Sequence, residues 1–267
     1  MNLSISNIAW SAEYDNAMYH YLKISGYKGL EIAPTRIFPS DPYSHISEAR
    51  DWADRLKEEY GLVISSMQSI WYGRTERVFG DDSDRRALIE YSRKACEFAS
   101  AIGCSNLVFG SPRNRDTDNM EHDYPIAIDF FRKLSDVAQD YGTVVAMEPN
   151  PTIYKTRFVN TTLEAIELIE KVNSDGFKLN FDLGTVIYND EDLHCLSEFP
   201  EYVHHIHISE PYLSLIDKNH KHLHRALLSF GREHQNVFIS IEMGMQNELA
   251  NVQNTINYLK ELTDEIH

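Results

Sequence analysis

Val203-His204-His205-Ile206-His207-Ile208-Ser209 carries the pattern that decides the fold. From His205 onward polar and β-branched residues alternate, as they do along a β-strand. Alternation turns Ile206 and Ile208 to one side and His205, His207 and Ser209 to the other. Seven further short apolar or β-branched runs occupy residues 3–10, 29–33, 62–67, 106–109, 144–148, 177–182 and 237–242. Between them lie longer stretches with helical periodicity. In residues 43–60, Ile46, Ala49, Trp52, Ala53 and Leu56 recur at helical spacing. In residues 84–101, Leu88, Tyr91, Ala95 and Phe98 form one stripe. In residues 161–172, Thr161 is the expected N-cap, with Glu164 at the capping-box position.

Strand starts recur at roughly 30-residue intervals, the length a βαβ unit requires. Eight such units predict an α/β chain closed into one (β/α)8 barrel, a single domain over residues 1–267. An open doubly wound sheet fits less well. It usually has fewer strands and a glycine-rich first turn, and here that turn reads Asn7-Ile8-Ala9-Trp10-Ser11. The longest non-periodic stretches, residues 70–82, 111–123 and 150–160, all follow strands. In a barrel they build the C-terminal face, where active sites lie.

A chain of 267 residues buries roughly three-quarters of its surface and needs no disulfide to hold it. Its 41 Asp and Glu against 25 Lys and Arg give a net charge of −16, which repels phosphate backbones and anionic membranes. Nucleic acid is therefore not an expected partner. Cys96, Cys104 and Cys195 are odd in number and scattered, as reduced thiols in a cytoplasmic protein would be. Residues 1–10 lack the basic region of a secretory leader, and no window has 18 uninterrupted apolar residues. A cytoplasmic location without membrane attachment is expected, and a homo-oligomer is compatible with it.

Four consecutive strand ends each carry a metal-ligating residue: Glu148, Asp182, His207 and Glu242. On alternation, Val145, Met147, Leu179, Phe181, Ile239 and Ile241 face the helices. Ala146, Glu148, Asn180, Asp182, Ser240 and Glu242 then face inward. Three inward carboxylates destabilise one another unless protonated or neutralised. One divalent cation is the simplest remedy, and mixed oxygen and nitrogen donors suit Mn²⁺, Zn²⁺, Co²⁺ or Mg²⁺.

Further stretches carry a family resemblance. They are Gly29-Leu30-Glu31-Ile32-Ala33-Pro34-Thr35-Arg36, Ile64-Ser65-Ser66-Met67-Gln68 and Val108-Phe109-Gly110-Ser111-Pro112-Arg113-Asn114-Arg115. Met147-Glu148-Pro149-Asn150-Pro151, His205-Ile206-His207-Ile208-Ser209-Glu210-Pro211 and Ser240-Ile241-Glu242-Met243 complete the set. Over nearly its whole length the chain resembles the xylose isomerase-like TIM-barrel superfamily, and within it the sugar phosphate isomerase/epimerase group. In the ketose 3-epimerases of that superfamily the four strand-end positions bind one divalent metal, and the two glutamates are the acid/base pair. The resemblance thus implies Glu148, Asp182, His207 and Glu242 as metal ligands, with Glu148 and Glu242 catalytic. One departure stands out. Those epimerases commonly place a histidine three residues after the strand-six aspartate, where this chain has Thr185. Apurinic endonucleases share the fold but need several extra histidines for three zinc ions. Gln68, Gly110-Ser111 and Thr185 stand at such positions, which argues against that activity.

Substrate contacts are expected from the surrounding loops. Inward Glu31 could accept from a sugar hydroxyl or orient a metal ligand. Gln68 has a similar position on strand three, and Asn150 and Tyr154 lie just beyond Glu148. Gly110 would let substrate approach the backbone, with Arg113, ahead of Arg115, holding a phosphate or carboxylate. Relatives carry a histidine near the cluster 220–225, and His220 is preferred to His222 and His224. Trp10, Trp71 and Tyr72 could wall a sugar pocket. The implied activity is metal-dependent isomerisation or epimerisation of a small sugar or sugar phosphate, part of carbohydrate metabolism, with proton transfer through an enediolate. The alternatives are a keto-polyol dehydratase of the same superfamily and a non-catalytic barrel that binds metal and sugar.

Overall fold

A computed structural model describes residues 1–266. Eight parallel strands run β1 Asn2–Ile5, β2 Gly29–Ile32, β3 Val63–Met67, β4 Asn106–Phe109, β5 Val144–Met147, β6 Phe177–Asp182, β7 Val203–Ile208 and β8 Phe238–Ile241. Their order around the sheet is β1-β8-β7-β6-β5-β4-β3-β2. A bridge between Ser6 and Glu31 joins β1 to β2 and brings the cylinder close to closure. The result is the single-domain (β/α)8 TIM barrel that the alternation predicts. Eight principal helices surround it: α1 Asp15–Ile24, α2 Ile46–Tyr60, α3 Asp82–Ala101, α4 Met120–Asp140, α5 Thr162–Val172, α6 Leu183–Asn189, α7 Lys221–Glu233 and α8 Leu249–Glu265. Among the described residues no helix is long and apolar enough to cross a membrane.

Local chemistry sets the helix ends. Thr161 Oγ1 accepts from the Glu164 N–H at 3.2 Å, and the Glu164 carboxylate accepts from the Thr161 N–H at 3.3 Å, so α5 begins on a complete capping box. Asp81 Oδ1 accepts from the Ser83 and Asp84 N–H groups and starts α3 two residues earlier than periodicity suggests. Gly61 ends α2 with φ at 72°, a conformation glycine adopts without a Cβ penalty. The first strand is shorter than its apolar run. The Ile8 N–H donates to Ser6 Oγ, and residues Asn7–Ala9 form a 3₁₀ turn instead of extending β1.

Helix-facing strand residues such as Ile5, Leu30, Phe109, Phe181 and Ile206 pack into the apolar layer under the helices. There Trp71 meets Phe109 edge-on at 4.6 Å, and Phe131 stacks on Phe177 at 4.9 Å. The barrel interior is polar. Ser4 Oγ lies 2.6 Å from Ser65 Oγ, and Asn106 Nδ2 donates to Ser66 Oγ at 2.9 Å. A register shift between β6 and β7 pairs Val203 with Leu179 and His205 with Asn180. The extra residue, His204, reaches across to Asn106 Oδ1 at 2.7 Å.

Candidate metal centre

Glu148 and Glu242 stand one residue beyond β5 and β8, Asp182 closes β6, and His207 is the penultimate residue of β7. The ligand atoms of these four side chains lie within 4.8 Å of one another. His207 Nδ1 is 2.9 Å from Glu148 Oε1 and 3.2 Å from Glu242 Oε2. Beneath them His207 Nε2 is 2.9 Å from Glu31 Oε2, and His205 Nε2 is 3.1 Å from the same oxygen.

Neutral donors fix each carboxylate. Asn180 Nδ2 donates to Glu148 Oε1 at 2.9 Å and Asn150 Nδ2 to Glu148 Oε2 at 3.2 Å. Gln68 Nε2 donates to Glu242 Oε1 at 3.1 Å, while its own oxygen accepts from Ser6 Oγ at 2.6 Å. Asp182 Oδ1 accepts from Ser209 Oγ, and Oδ2 accepts from the Thr185 N–H at 2.7 Å. The Thr185 hydroxyl lies 2.8 Å from both Asp182 Oδ2 and the Pro149 carbonyl. Thr185 therefore clamps the aspartate from within α6.

The cluster is electrostatically frustrated. Burial, reinforced by the Glu148 charge, pushes Asp182 up to about 6. Burial with the Glu148 and Glu31 charges pushes Glu242 up to about 7, although His207 opposes it. Burial alone would raise Glu31 too, but the His207 and His205 rings hold it far below the usual carboxylate range. Burial alone would lower His207, but Glu31, Glu242 and Glu148 raise it well above an ordinary imidazole. Three carboxylates and one imidazole nitrogen converging at this spacing fit a divalent cation, whose charge relieves the repulsion. Glu148, Asp182, His207 through Nδ1, and Glu242 are the residues that would hold it.

Above the cluster opens a cavity of about 250 Å³, lined among others by Gln68, Gly110, Asn150, Tyr154, Glu210 and Leu213. That is below the roughly 300–1,000 Å³ of drug-sized sites, and suits a small polar molecule. Gly110 is required here: a Cβ at this position would stand 2.6 Å from Glu148 Oε2.

The family model for the xylose isomerase-like TIM barrel matches residues 20–262. The chain belongs to this family. Among solved structures it is similar to the apo form of 3-keto-D-glucoside 4-epimerase from E. coli, with 19% identity, 98% of this chain and 99% of that one covered, and a TM-score of 0.74. It is also similar to D-psicose 3-epimerase with D-tagatose from Clostridium cellulolyticum, at 13% identity, 100% and 96% coverage and a TM-score of 0.71. A third is the probable 3-DHS dehydratase involved in petrobactin synthesis from Bacillus anthracis, at 15% identity, 99% and 98% coverage and a TM-score of 0.70. At these identities the likeness is one of fold. A comparison with curated protein sequences gives no match.

Around the quartet of this xylose isomerase-like barrel, the other sequence-derived candidates fall at different depths. Gln68, Asn150 and Tyr154 line the cavity. Tyr154 Oη accepts from the Tyr212 N–H at 2.9 Å, and burial raises its hydroxyl to about 12, so it remains a donor. Glu31 lies fully buried below the quartet, against His205 and His207. Arg113 is exposed and lines a neighbouring cleft. His220 stands behind the cavity wall, its Nδ1 3.0 Å from Glu210 Oε1. His222 is exposed, and His224 is buried 3.0 Å from Tyr258 Oη. Trp10 and Trp71 are packing residues whose indole N–H groups donate to Asp15 and Ser92, and Tyr72 is largely exposed.

Sequence reasoning gave no site role to Glu210, Asn180 or Ser209, and it offered Arg115, ranked behind Arg113, as a phosphate or carboxylate contact, which its burial overturns. Asn180 and Ser209 share the inward parity of the ligands, and that parity was the available signal. Arg115 is wholly buried behind Glu148. Its Nη2 donates to the Glu148 carbonyl at 3.0 Å and to Asn150 Oδ1 at 2.8 Å, and burial lowers it to about 9.

Proposed function

We propose that this barrel is an isomerase or epimerase of a small sugar or sugar phosphate, working with one divalent metal ion. One observation carries the reading. Glu148 Oε1 and Glu242 Oε2 flank the same nitrogen, His207 Nδ1, at 2.9 and 3.2 Å, below an open cavity. Two carboxylates so close can serve one substrate carbon or two adjacent ones. One accepts the proton from the C–H beside a ketose carbonyl, and the other returns a proton to the enediolate. Transfer of this kind contributes about 10²–10⁴-fold. Asn150, Asn180 and Gln68 hold the carboxylate oxygens in place, so little reorganisation accompanies the step. Mn²⁺, Zn²⁺, Co²⁺ or Mg²⁺, held by the quartet, supplies the Lewis acidity that acidifies the C–H. Proton return to the opposite face gives an epimer, and return to the adjacent carbon gives the aldose–ketose isomer.

The test is incubation of Mn²⁺-loaded protein in D₂O with a panel of ketoses and ketose phosphates, read by mass. The expected result is deuterium uptake into one ketose, abolished by Glu148→Gln and by Glu242→Gln. Uptake that survives both substitutions removes the glutamates from the proposed role. A sugar that raises the melting temperature without acquiring label points instead to a binding barrel. Loss of water from the product points to the dehydratase.

A further inference from the structure

The cavity above the carboxylates has a neighbour. A second cleft, of about 490 Å³, shares Pro112 and Tyr154 with it as a common wall. The loops after β3, β4 and β5 each contribute one cation to this cleft: Arg77, Arg113 and Lys155. Its lining carboxylate, Asp116, is already neutralised, because Arg157 Nη2 lies 3.0 Å from Asp116 Oδ2 and its Nε donates to Oδ1 at 3.2 Å. Arg74, the other nearby cation, is paired with Glu76. Among the described residues Arg77, Arg113 and Lys155 pair with no carboxylate, and Arg77 Nη2 donates only to the Asp116 carbonyl, at 2.6 Å. In a chain of net charge −16 this cleft is lined by three cations and one carboxylate that is already paired.

We infer that the cleft is the subsite for a phosphate ester on the end of the substrate remote from its carbonyl, which makes the substrate a sugar phosphate. The inference rests on the reading of the carboxylate site given above. Glu148, Asp182 and Glu242 make the cavity floor acidic, and the cationic cleft beyond the Pro112–Tyr154 wall is the better place for an anionic end. A dianion matches three free cations better than a single carboxylate does, and the guanidinium fork can grip phosphate oxygens in pairs. Tyr154 stands at the junction. Its oxygen is occupied by the Tyr212 N–H, and its proton is left to donate to a bridging ester or hydroxyl oxygen. Because the cations are exposed, the attraction is screened and weakens with salt.

The test measures affinities of inorganic phosphate, fructose 6-phosphate, fructose and glucuronate by calorimetry at low ionic strength. It uses the parent protein, the Arg113→Ala/Lys155→Ala double variant and Glu148→Gln. Arg113 and Lys155 are exposed, so the double variant should keep its melting temperature. The expected result is at least tenfold tighter binding of fructose 6-phosphate than of fructose, lost in the double variant and reduced by salt. Glu148→Gln should retain the phosphate preference, which separates this subsite from the acid/base reading. Failure of both inorganic phosphate and the ester to bind overturns the inference. So does a preference that the double variant leaves intact, or tighter binding of glucuronate than of the ester.

Discussion

Glu31 Oε2 lies 2.9 Å from His207 Nε2 beneath the carboxylate cluster, and both side chains are shut off from solvent. An ionised carboxylate can only accept, so Nε2 donates to Glu31, and a cation seated among Glu148, Asp182 and Glu242 would displace the Nδ1 proton and take that lone pair. Glu31 thus selects the tautomer that can ligate. The second ring, His205, brings its Nε2 to 3.1 Å from the same oxygen.

Glu31→Gln replaces an obligate acceptor with an amide that can also donate. Partners of this kind typically change metal affinity by about 10–100-fold. We expect Mn²⁺ and Co²⁺ to bind weaker by that factor in chelator competition, with a smaller loss for catalysis at saturating metal. Unchanged affinity in a folded Glu31→Gln protein would contradict the tautomer argument.

Gly110→Ala tests the approach of β4 to Glu148. The added Cβ would fall 2.6 Å from Glu148 Oε2, a flexible side-chain end, so the carboxylate moves and the backbone stays. A misplacement of about 1 Å can cost on the order of 10²-fold in rate. The expected outcome is deuterium exchange reduced by about that factor with little change in melting temperature. A fully active alanine variant would show that Glu148 has no fixed catalytic position.

The quartet was legible because a strand has a side-chain period of two, and flanking apolar residues fixed which parity faced in. Helix α5 was legible for a local reason, since Thr161 and Glu164 make their capping box within four residues. The loops obey no such period. Arg113 and Arg115 differ by two positions, yet Ser111 adopts a left-handed conformation with φ at 35°, and the short turn Pro112–Asn114 leaves Arg113 exposed and Arg115 buried. Glu210 entered the cavity through packing with the loop after β7, where Asp217 and His220 hold it. That contact joins residues seven and ten apart without a repeating pattern. Glu31 was placed facing inward by parity, but its depth below the rim depended on the polar interior around it.

Arg115 makes the next prediction. It is a fully buried cation whose hydrogen-bond acceptors are a carbonyl, an amide oxygen and the Met147 sulfur. Arg115→Ala empties a large buried volume and releases Asn150, which orients Glu148. We expect a loss of roughly 2–5 kcal/mol by denaturant titration, the range for truncating a large buried side chain. Arg115→Lys keeps the charge but cannot bridge the Glu148 carbonyl and Asn150 with one planar fork. It should fold and yet lose activity. If Arg115→Lys is as active as the parent, Asn150 does not depend on the guanidinium.

The raised carboxyls of the candidate metal centre set a pH dependence with a definite sign. Burial and the neighbouring carboxylates push Glu242 from an ordinary 4.5 up to about 7, and Asp182 from 3.8 up to about 6. Below the lower values both states hold their protons, and the folded protein has its full stability. As pH rises towards 7 the unfolded chain releases protons that the folded one retains, so stability falls and then levels off above 7. Without metal, Glu242→Gln should therefore match the parent near pH 4.5 and exceed it in melting temperature at pH 8. Added Mn²⁺ should reverse that order at pH 8, because it binds the deprotonated quartet and stabilises only the parent by its full affinity. Melting curves at the two pH values, with and without metal, decide the point. A Glu242→Gln protein less stable than metal-free parent at pH 8 would mean that the buried carboxylates are not under the mutual repulsion that makes this site a cation trap.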